Sequence, residues 1–199
     1  MKKLFFVAMM FLSLTVNAQD NSWEMPTVIN AEQKYMAGAV PEENGKVVFK
    51  TTIKAPGKSK QQIFDLLLKD MTSMTKESNQ FEQSRIALAD ELGHNQIIGS
   101  YQEWLVFKNK PLNLDRTRFF YNLIADIKDG EATISLTRIH YLYDEERDPS
   151  TYEAEESITD RYGLNKKQTK LSRVYGKFRR KTIDRKDYIF NRLSLLLTK

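Results

Sequence analysis

Apolar and polar residues alternate along five stretches of the chain, and this period of two predicts β-strands. The clearest connection between two such stretches is Asp129-Gly130, since glycine tolerates the positive φ that a tight hairpin turn demands. We therefore predict that the last two strands form an antiparallel hairpin. The five predicted strands cover about residues 46–54, 84–90, 95–107, 116–127 and 131–143.

The last of these stretches changes phase in its middle. Its apolar positions are even-numbered up to Leu136 and odd-numbered from Ile139 onward. One inserted residue moves every later side chain of a strand to the opposite face of the sheet. The pattern therefore predicts a β-bulge near Thr137 or Arg138.

A first helix is predicted directly after the first strand. Ser59 and Gln62 have the spacing of a capping box, in which each side chain accepts a hydrogen bond from a free backbone N–H group. Apolar residues then recur on one helical face up to about Lys76. We expect this helix to pack that face against the strands.

The chain ends in a longer amphipathic helix, which begins at Gly176 or Thr182 and ends near Leu197. At about 100° per residue its apolar side chains occupy an arc of roughly 140°, wide enough to cover a sheet. A short helix is also predicted over 154–162. The resulting order β-α-β-β-β-β-α indicates an α+β fold, with an antiparallel sheet of about five strands covered by two helices.

Three regions are predicted along the chain. Residues 1–18 resemble an export signal, with a charged start, an apolar run and a small-residue cleavage site that ends at Ala18. Residues 19–44 lack any periodicity and are interpreted as a tether or docking arm, with ordered structure beginning at Lys46. Residues 45–199 have the length of a single domain.

The apolar run near the N-terminus is too short to span a membrane, and no other segment is a candidate. We expect cleavage after Ala18 and a mature protein that is periplasmic or secreted and has no transmembrane segment. An uncleaved anchor is the alternative. The absence of cysteine fits an exported protein that needs no disulfides.

Charge is distributed unevenly although the mature chain has a net charge of only +3. Residues 141–160 contain eight acidic side chains and one basic one, whereas residues 165–199 contain twelve basic and two acidic side chains. Such adjacent segments either attract each other or serve different partners. A solvated acidic loop beside a solvated basic helix face is the simpler alternative.

Sequence motifs for catalysis are missing. Gly57-Lys58-Ser59 lacks the first glycine of a phosphate-binding loop, and the only histidines are His94 and His140. Without cysteine, two separated histidines give no metal-binding pattern, and no nucleophile has a recognisable partner. We therefore expect a protein that is not an enzyme and that has no cofactor and no metal; a hydrolase is the less favoured alternative.

Two cations of the last helix interrupt its apolar arc. Arg179 and Lys186 are seven residues apart and lie near the centre of the arc, so both are predicted to point toward the sheet. They are the predicted ligand-binding residues, supplying the polar end of an apolar pocket. The alternative is that each is paired, or extends past the apolar surface to solvent.

The other cations of this helix are predicted to lie on its exposed side. A nucleic-acid partner is not favoured, because aromatic residues are not interleaved among the cations and the net charge is small. These residues are Lys177, Arg180, Lys181, Arg185 and Arg192.

Five spaced segments resemble the exported Bacteroides-type family called domain of unknown function 4468, which has a TBP-like fold. They are AVPEENGKVVF (39–49), PGKSK (56–60), LDRTR (114–118), ITDRY (158–162) and GKFRRKTID (176–184). The similarity covers about residues 39–197 and implies the same β-α-β(4)-α order. It implies no activity and no site residues. Ser157 stands where the family pattern has a tryptophan.

These observations lead to two functional hypotheses for an exported, non-catalytic binding domain. A small apolar or anionic amphiphilic ligand would require a continuous cavity between the last helix and the sheet. A protein–protein interaction module of the cell envelope would instead have a filled core and an exposed patch. That patch would involve the acidic residues of 141–160 or the basic side of the helix.

Overall fold

The alternating stretches form one antiparallel sheet, and two long helices pack against one of its faces. The computed structural model describes residues 32–199, so the predicted export signal and the first part of the arm lie outside the described residues. Short 3₁₀ turns at Gln33–Tyr35 and Ala154–Glu156 complete the structure. In chain order the strands and helices are β1 Glu42–Glu43, β2 Lys46–Val47, β3 Phe49–Lys54, α1 Lys60–Met74, β4 Arg85–Ala89, β5 Gln96–Lys110, β6 Asn113–Lys128, β7 Glu131–Tyr143, β8 Ser150–Glu153, α2 Asp160–Gly163 and α3 Gly176–Thr198.

The main sheet has the strand order β3-β7-β6-β5-β4, and β8 also pairs with β7. β3 pairs with the first half of β7, whereas β8 pairs with the second half, from His140 to Tyr143. All pairs are antiparallel, which confirms the α+β class. The sheet has six strands rather than about five, because β8 is a four-residue strand within the acidic segment and is too short to show a clear alternation.

The predicted bulge lies in β7. Phe120 pairs with His140 and Asn122 pairs with Thr137, so Tyr121 alone faces two residues of the partner strand. One of those two, Arg138, has the left-handed backbone conformation, with φ 53°. The extra residue changes the parity of the inward positions, and the prediction is confirmed.

The core lies between the sheet and the helices. The predicted inward row of β6, from Phe119 to Ile127, is buried at every second residue. α1 begins with the predicted capping box: Ser59 Oγ accepts a hydrogen bond from Gln62 N at 3.3 Å, and Ser59 N donates one to Gln62 Oε1 at 2.8 Å. Its apolar face, including Leu67, is buried against the sheet.

α3 begins at the earlier of the two predicted positions. Phe178, Ile189 and Leu193 are buried, which confirms that its apolar arc covers the sheet. The short helix predicted over 154–162 is instead a 3₁₀ turn followed by the four residues of α2. Of the helices within residues 32–199, none combines the length and the apolar character needed to cross a membrane.

Ordered structure begins before Lys46, so that expectation is wrong. Tyr35 and Val40 are buried, because residues 32–40 pack on the domain as a docking arm. The strand predicted over 46–54 is divided, since β2 pairs with β1 through a turn at Gly45, which has φ 74°. β3 then joins the main sheet at Phe49.

The turn between β6 and β7 offers a test of the hairpin. Gly130 has φ 73°, and a Cβ added there would meet no atom within 4 Å. Gly130→Ala should therefore destabilise the protein through backbone strain alone, by about 1 kcal/mol. Gly130→Asn should cost less, because asparagine tolerates this conformation. Equal unfolding free energies of both variants in urea titrations would contradict this account.

Candidate functional site

An open concavity lies at one end of the sheet. β7 ends with Tyr143 opposite Thr117, whereas β5 and β6 remain paired as far as Lys110 and Asn113. The protruding β5–β6 ribbon and the turn 144–147 enclose a groove of about 450 Å³. Trp104 and Leu142 also line this groove, and it lies outside the helix–sheet interface.

Two arginines of β6 hold the acidic turn against the sheet. The Arg116 guanidinium lies 3.6 Å from the centre of the Trp104 ring, and its Nη2 is 2.9 Å from Glu146 Oε1. Arg118 repeats the arrangement one pair further along the ribbon. Its guanidinium lies 4.1 Å from the Phe81 ring centre, and its Nη2 is 2.9 Å from Glu145 Oε2.

These contacts combine cation–π attraction with ion pairing. The first part of the acidic segment therefore interacts with β6 rather than with α3. Attraction between the acidic and basic segments was one of the alternatives, and Asp160 and Arg179 make such a pair, at 2.7 Å. The exposed carboxylate of Glu146, with 75% of its side chain accessible, remains at the groove rim.

Asp115, Tyr143 and Lys177 form a polar cluster beside the groove. Lys177 Nζ lies 2.9 Å from Asp115 Oδ2 and donates a hydrogen bond to the Tyr143 hydroxyl at 2.8 Å. On the other side of Tyr143 is a smaller cavity of about 280 Å³, whose walls include Tyr152, Tyr175 and Phe178. The groove and this cavity thus share Tyr143 as a common wall.

Arg179, one of the two predicted ligand-binding residues, is fully buried. Its guanidinium donates to the carbonyl oxygens of Tyr35, Met36 and Ile158, each at 2.6 Å, and to Asp160 Oδ1 at 2.7 Å. Burial lowers the pKa of Arg179, and Asp160 opposes that shift. Arg179 is buried, but its hydrogen bonds go to the docking arm and to residues 158 and 160 rather than to the sheet, so it joins the arm to α3.

Lys186, the second predicted ligand-binding residue, lies at the edge of the helix–sheet interface. Its Nζ pairs with Asp187 and is 5.6 Å from the centre of the Phe49 ring in the edge strand β3. The side chain remains 19% exposed. Arg179 and Lys186 therefore contact different elements and do not meet in one described cavity, so their joint role in ligand binding stays a prediction.

Arg185 was expected on the exposed side of α3, and this expectation is wrong. It is fully buried, with Nε 2.8 Å from Glu103 Oε1 and Nη2 2.7 Å from Glu103 Oε2. Asn79 and Gln80 also donate to Glu103 Oε2, at 2.7 Å and 2.8 Å. The result is a hydrogen-bonded ion pair between the centre of α3 and β5.

A sequence signal for this pair exists in β5. Glu103 has the same parity as the inward residues Tyr101 and Leu105, so the alternation places a carboxylate in the core. Arg185 lies about 20° outside the apolar arc on a helical wheel, close enough to reach it.

Burial raises the pKa of Glu103, although Arg185 opposes the shift. Burial lowers the pKa of Arg185, but Glu103, Tyr121 and Glu77 together outweigh this and raise it.

The remaining cations of α3 are also largely used within the protein. Arg192 Nε lies 2.8 Å from Asp70 Oδ2, and its guanidinium also contacts Glu77, which in turn pairs with Arg185. Arg180 pairs with the docking arm. The basic side of α3 therefore mainly contacts α1 and the arm, and little of it remains available to bind an anionic partner.

Within residues 32–199, no three His, Asp or Glu side chains lie close enough together to hold a metal ion. In the polar cluster, Asp115 and Lys177 neutralise each other. The groove has an aromatic and apolar wall, paired charges and an exposed carboxylate at its rim.

Comparison with known proteins places this geometry in a family. Residues 49–142 match the model of a domain of unknown function (DUF4468) with TBP-like fold. A DUF4468 family protein from Bacteroides ovatus ATCC 8483, solved by crystallography, is 40% identical with a TM-score of 0.77. The match covers 84% of this chain and 95% of that one.

A second crystal structure, of a TBP-like protein from Parabacteroides distasonis ATCC 8503, is 18% identical with a TM-score of 0.62. It covers 79% of this chain and 96% of that chain, and it supports the fold alone. The search of curated proteins returned no match. The predicted family and TBP-like fold are thereby confirmed.

The Arg179 cluster generates a stability prediction. Arg179→Met leaves three backbone carbonyls and one carboxylate without their donor, and should lower the unfolding free energy by about 3 kcal/mol or more. Amide exchange at Gly38 and Ala39 should accelerate, because the arm loses its anchor. Arg180→Met, which removes a surface pair with Glu32 and a cation–π contact with the Tyr35 ring but no buried hydrogen bond, is the control and should have the smaller effect. Unchanged exchange of these two amides in Arg179→Met would refute the anchoring role.

The Glu103–Arg185 pair is tested by a double-mutant cycle. Glu103→Leu alone leaves a buried cation and should cost about 3–5 kcal/mol, whereas Glu103→Leu with Arg185→Met should cost less than the sum of the two single changes. Chemical denaturation provides the unfolding free energies. The control is Glu131→Leu, which breaks an exposed pair with Lys54 and should have little effect. Strict additivity in the cycle would show that the pair is not coupled.

Proposed function

We propose, for a chain that belongs to the DUF4468 family with TBP-like fold, that it is an exported, non-catalytic module that binds a polypeptide partner. The groove beside Trp104 is the proposed binding site. The observation that carries this proposal is the position of the groove relative to the interface between α3 and the sheet. Inward residues of α3 are buried against the sheet and include the Arg185–Glu103 pair, whereas the larger concavity lies outside this interface.

The composition of the groove favours a polypeptide over a small apolar ligand. Small-molecule sites are mostly closed and apolar, with few polar groups. This groove is open, and its walls carry four carboxylates, of Asp115, Asp144, Glu145 and Glu146, against the two guanidinium groups of Arg116 and Arg147 beside Trp104. The Glu146 carboxylate remains largely exposed although it pairs with Arg116. Aromatic residues and arginine are enriched at protein interfaces, and acidic rims steer basic partners. The proposed partner therefore presents a basic, partly apolar segment.

Export also belongs to this proposal. The charged start, apolar run and cleavage site of residues 1–18 support a location in the periplasm or outside the cell. A partner in the cell envelope would be accessible there.

A small anionic amphiphile is the second candidate, and the smaller cavity favours it. Tyr152, Tyr175 and Phe178 supply apolar walls there, and Arg173 supplies positive charge. This cavity lies between the start of α3 and the sheet, although it does not contain the two cations predicted from the sequence.

The two candidates are separated by chemical-shift mapping on the ¹⁵N-labelled mature protein. An acetylated, amidated Lys-Leu-Lys-Leu-Lys peptide should shift the Trp104 indole and residues 144–147, and a Glu-Leu-Glu-Leu-Glu peptide should not. Laurate is the probe for the smaller cavity. Shifts confined to Tyr152 and Tyr175 with laurate, and none with the basic peptide, would overturn the polypeptide proposal.

A charge reversal at the groove rim tests the same site quantitatively. Glu146→Lys should weaken binding of the basic peptide several-fold, and added salt should reduce the difference between variant and wild type. Glu156→Lys, an equal change of charge in the same segment but outside the groove lining, is the matched control. Equal affinities of the two variants would show that the rim does not recognise the peptide.

A further inference from the structure

The β5–β6 ribbon ends in an exposed tip beside the groove. Every residue from Lys108 to Leu114 is exposed. β6 extends four residues beyond Thr117, where its pairing with β7 ends, which corresponds to about 13 Å at the rise of a strand. The tip therefore projects away from the body of the sheet.

The tip carries an apolar side chain in an unusual setting. Leu112 is fully exposed and has φ 61°, a left-handed conformation that is uncommon for residues other than glycine. Both features cost free energy in an isolated chain, one through apolar exposure and one through backbone strain. A contact that covers Leu112 would recover the first of these costs.

The charge of the tip is opposite to that of the groove rim. Lys108 and Lys110 flank the tip, and neither has a carboxylate partner within residues 32–199. The turn at the rim contains three carboxylates, of Asp144, Glu145 and Glu146, and one guanidinium, of Arg147, so it remains acidic on balance, and Glu146 is largely exposed. The ribbon thus has the basic, partly apolar character proposed above for the partner of the groove.

We propose that the groove binds the ribbon tip of a second copy of this chain. Because tip and groove lie at the same end of the sheet, one two-fold axis lets each protomer insert its tip into the groove of the other. Leu112 then meets Trp104 and Leu142, and Lys108 and Lys110 meet the carboxylates of the turn. This inference rests on the proposed function and names the partner.

The first test is the mass of the mature protein in solution. A modest interface associates at protein concentrations of about 10 to 500 µM. Sedimentation velocity over this range should show reversible formation of a species of twice the chain mass. Leu112→Asp should weaken this self-association at least tenfold. Leu195→Asp, at an exposed leucine on the outer side of α3, is the control and should leave it unchanged. A wild-type protein that stays monomeric at the highest concentration overturns the inference.

Charge complementation tests the contact itself. Lys108→Glu with Lys110→Glu should prevent self-association, and so should Asp144→Lys with Glu146→Lys. Mixing these two double variants should restore a heterodimer through one of the two tip–groove contacts, with circular dichroism confirming that both are folded. No recovery on mixing, with both variants folded, contradicts the proposed pairing.

Binding of the basic peptide to Leu112→Asp distinguishes this inference from the proposed function. If that monomeric variant binds the peptide at Trp104 while the wild type never dimerises, the groove is a polypeptide site for another partner. If neither self-association nor peptide binding occurs, both proposals fail.

Discussion

Two buried guanidinium groups fix the position of α3, one by bonding to the sheet and the other by bonding to the docking arm and the segment before α2. A guanidinium retains its proton at any physiological pH, so Arg179 and Arg185 can be buried only where hydrogen-bond acceptors already stand in the right places. Arg185 finds them in Glu103, at an inward position of β5, and Arg179 finds them in the backbone of the docking arm and at Asp160. An apolar helix face alone would tolerate sliding or rotation on the sheet. Directional bonds at both positions favour a single placement.

This placement also decides where a partner can bind. The inward side of α3 is occupied by Phe178, Ile189, Leu193 and the Arg185–Glu103 pair, and its cations toward α1 and the arm have internal partners. The basic side of α3, one of the two expected interaction patches, is therefore mostly occupied by contacts within the protein. Of the two patches expected for an interaction module, the acidic segment is the one that borders an open groove.

Local features of the fold could be predicted from the sequence because each depends on neighbouring residues. The capping box at Ser59, the hairpin at Gly130 and the bulge at Arg138 need only the chemistry of a few adjacent positions. Features that depend on distant partners could not be predicted. The helical wheel placed Arg185 outside the apolar arc, since it contains no information about Glu103, 82 residues earlier. The same reason explains why the arm around Tyr35 had no recognisable pattern: its burial depends on Arg179.

Charges that are already paired within a chain contribute little to recognition, because breaking their pairs offsets much of any new contact. The acidic turn pairs with Arg116 and Arg118 against Trp104 and Phe81, and these contacts give the groove its shape. Recognition then depends on what pairing leaves accessible: the outer part of Glu146, the aromatic wall and, on the ribbon, two lysines beside an exposed leucine. Segment composition left open whether the acidic segment is attracted to α3 or serves a different partner. In the proposed self-association, the charges that remain accessible after folding attract the groove of one copy to the ribbon tip of another.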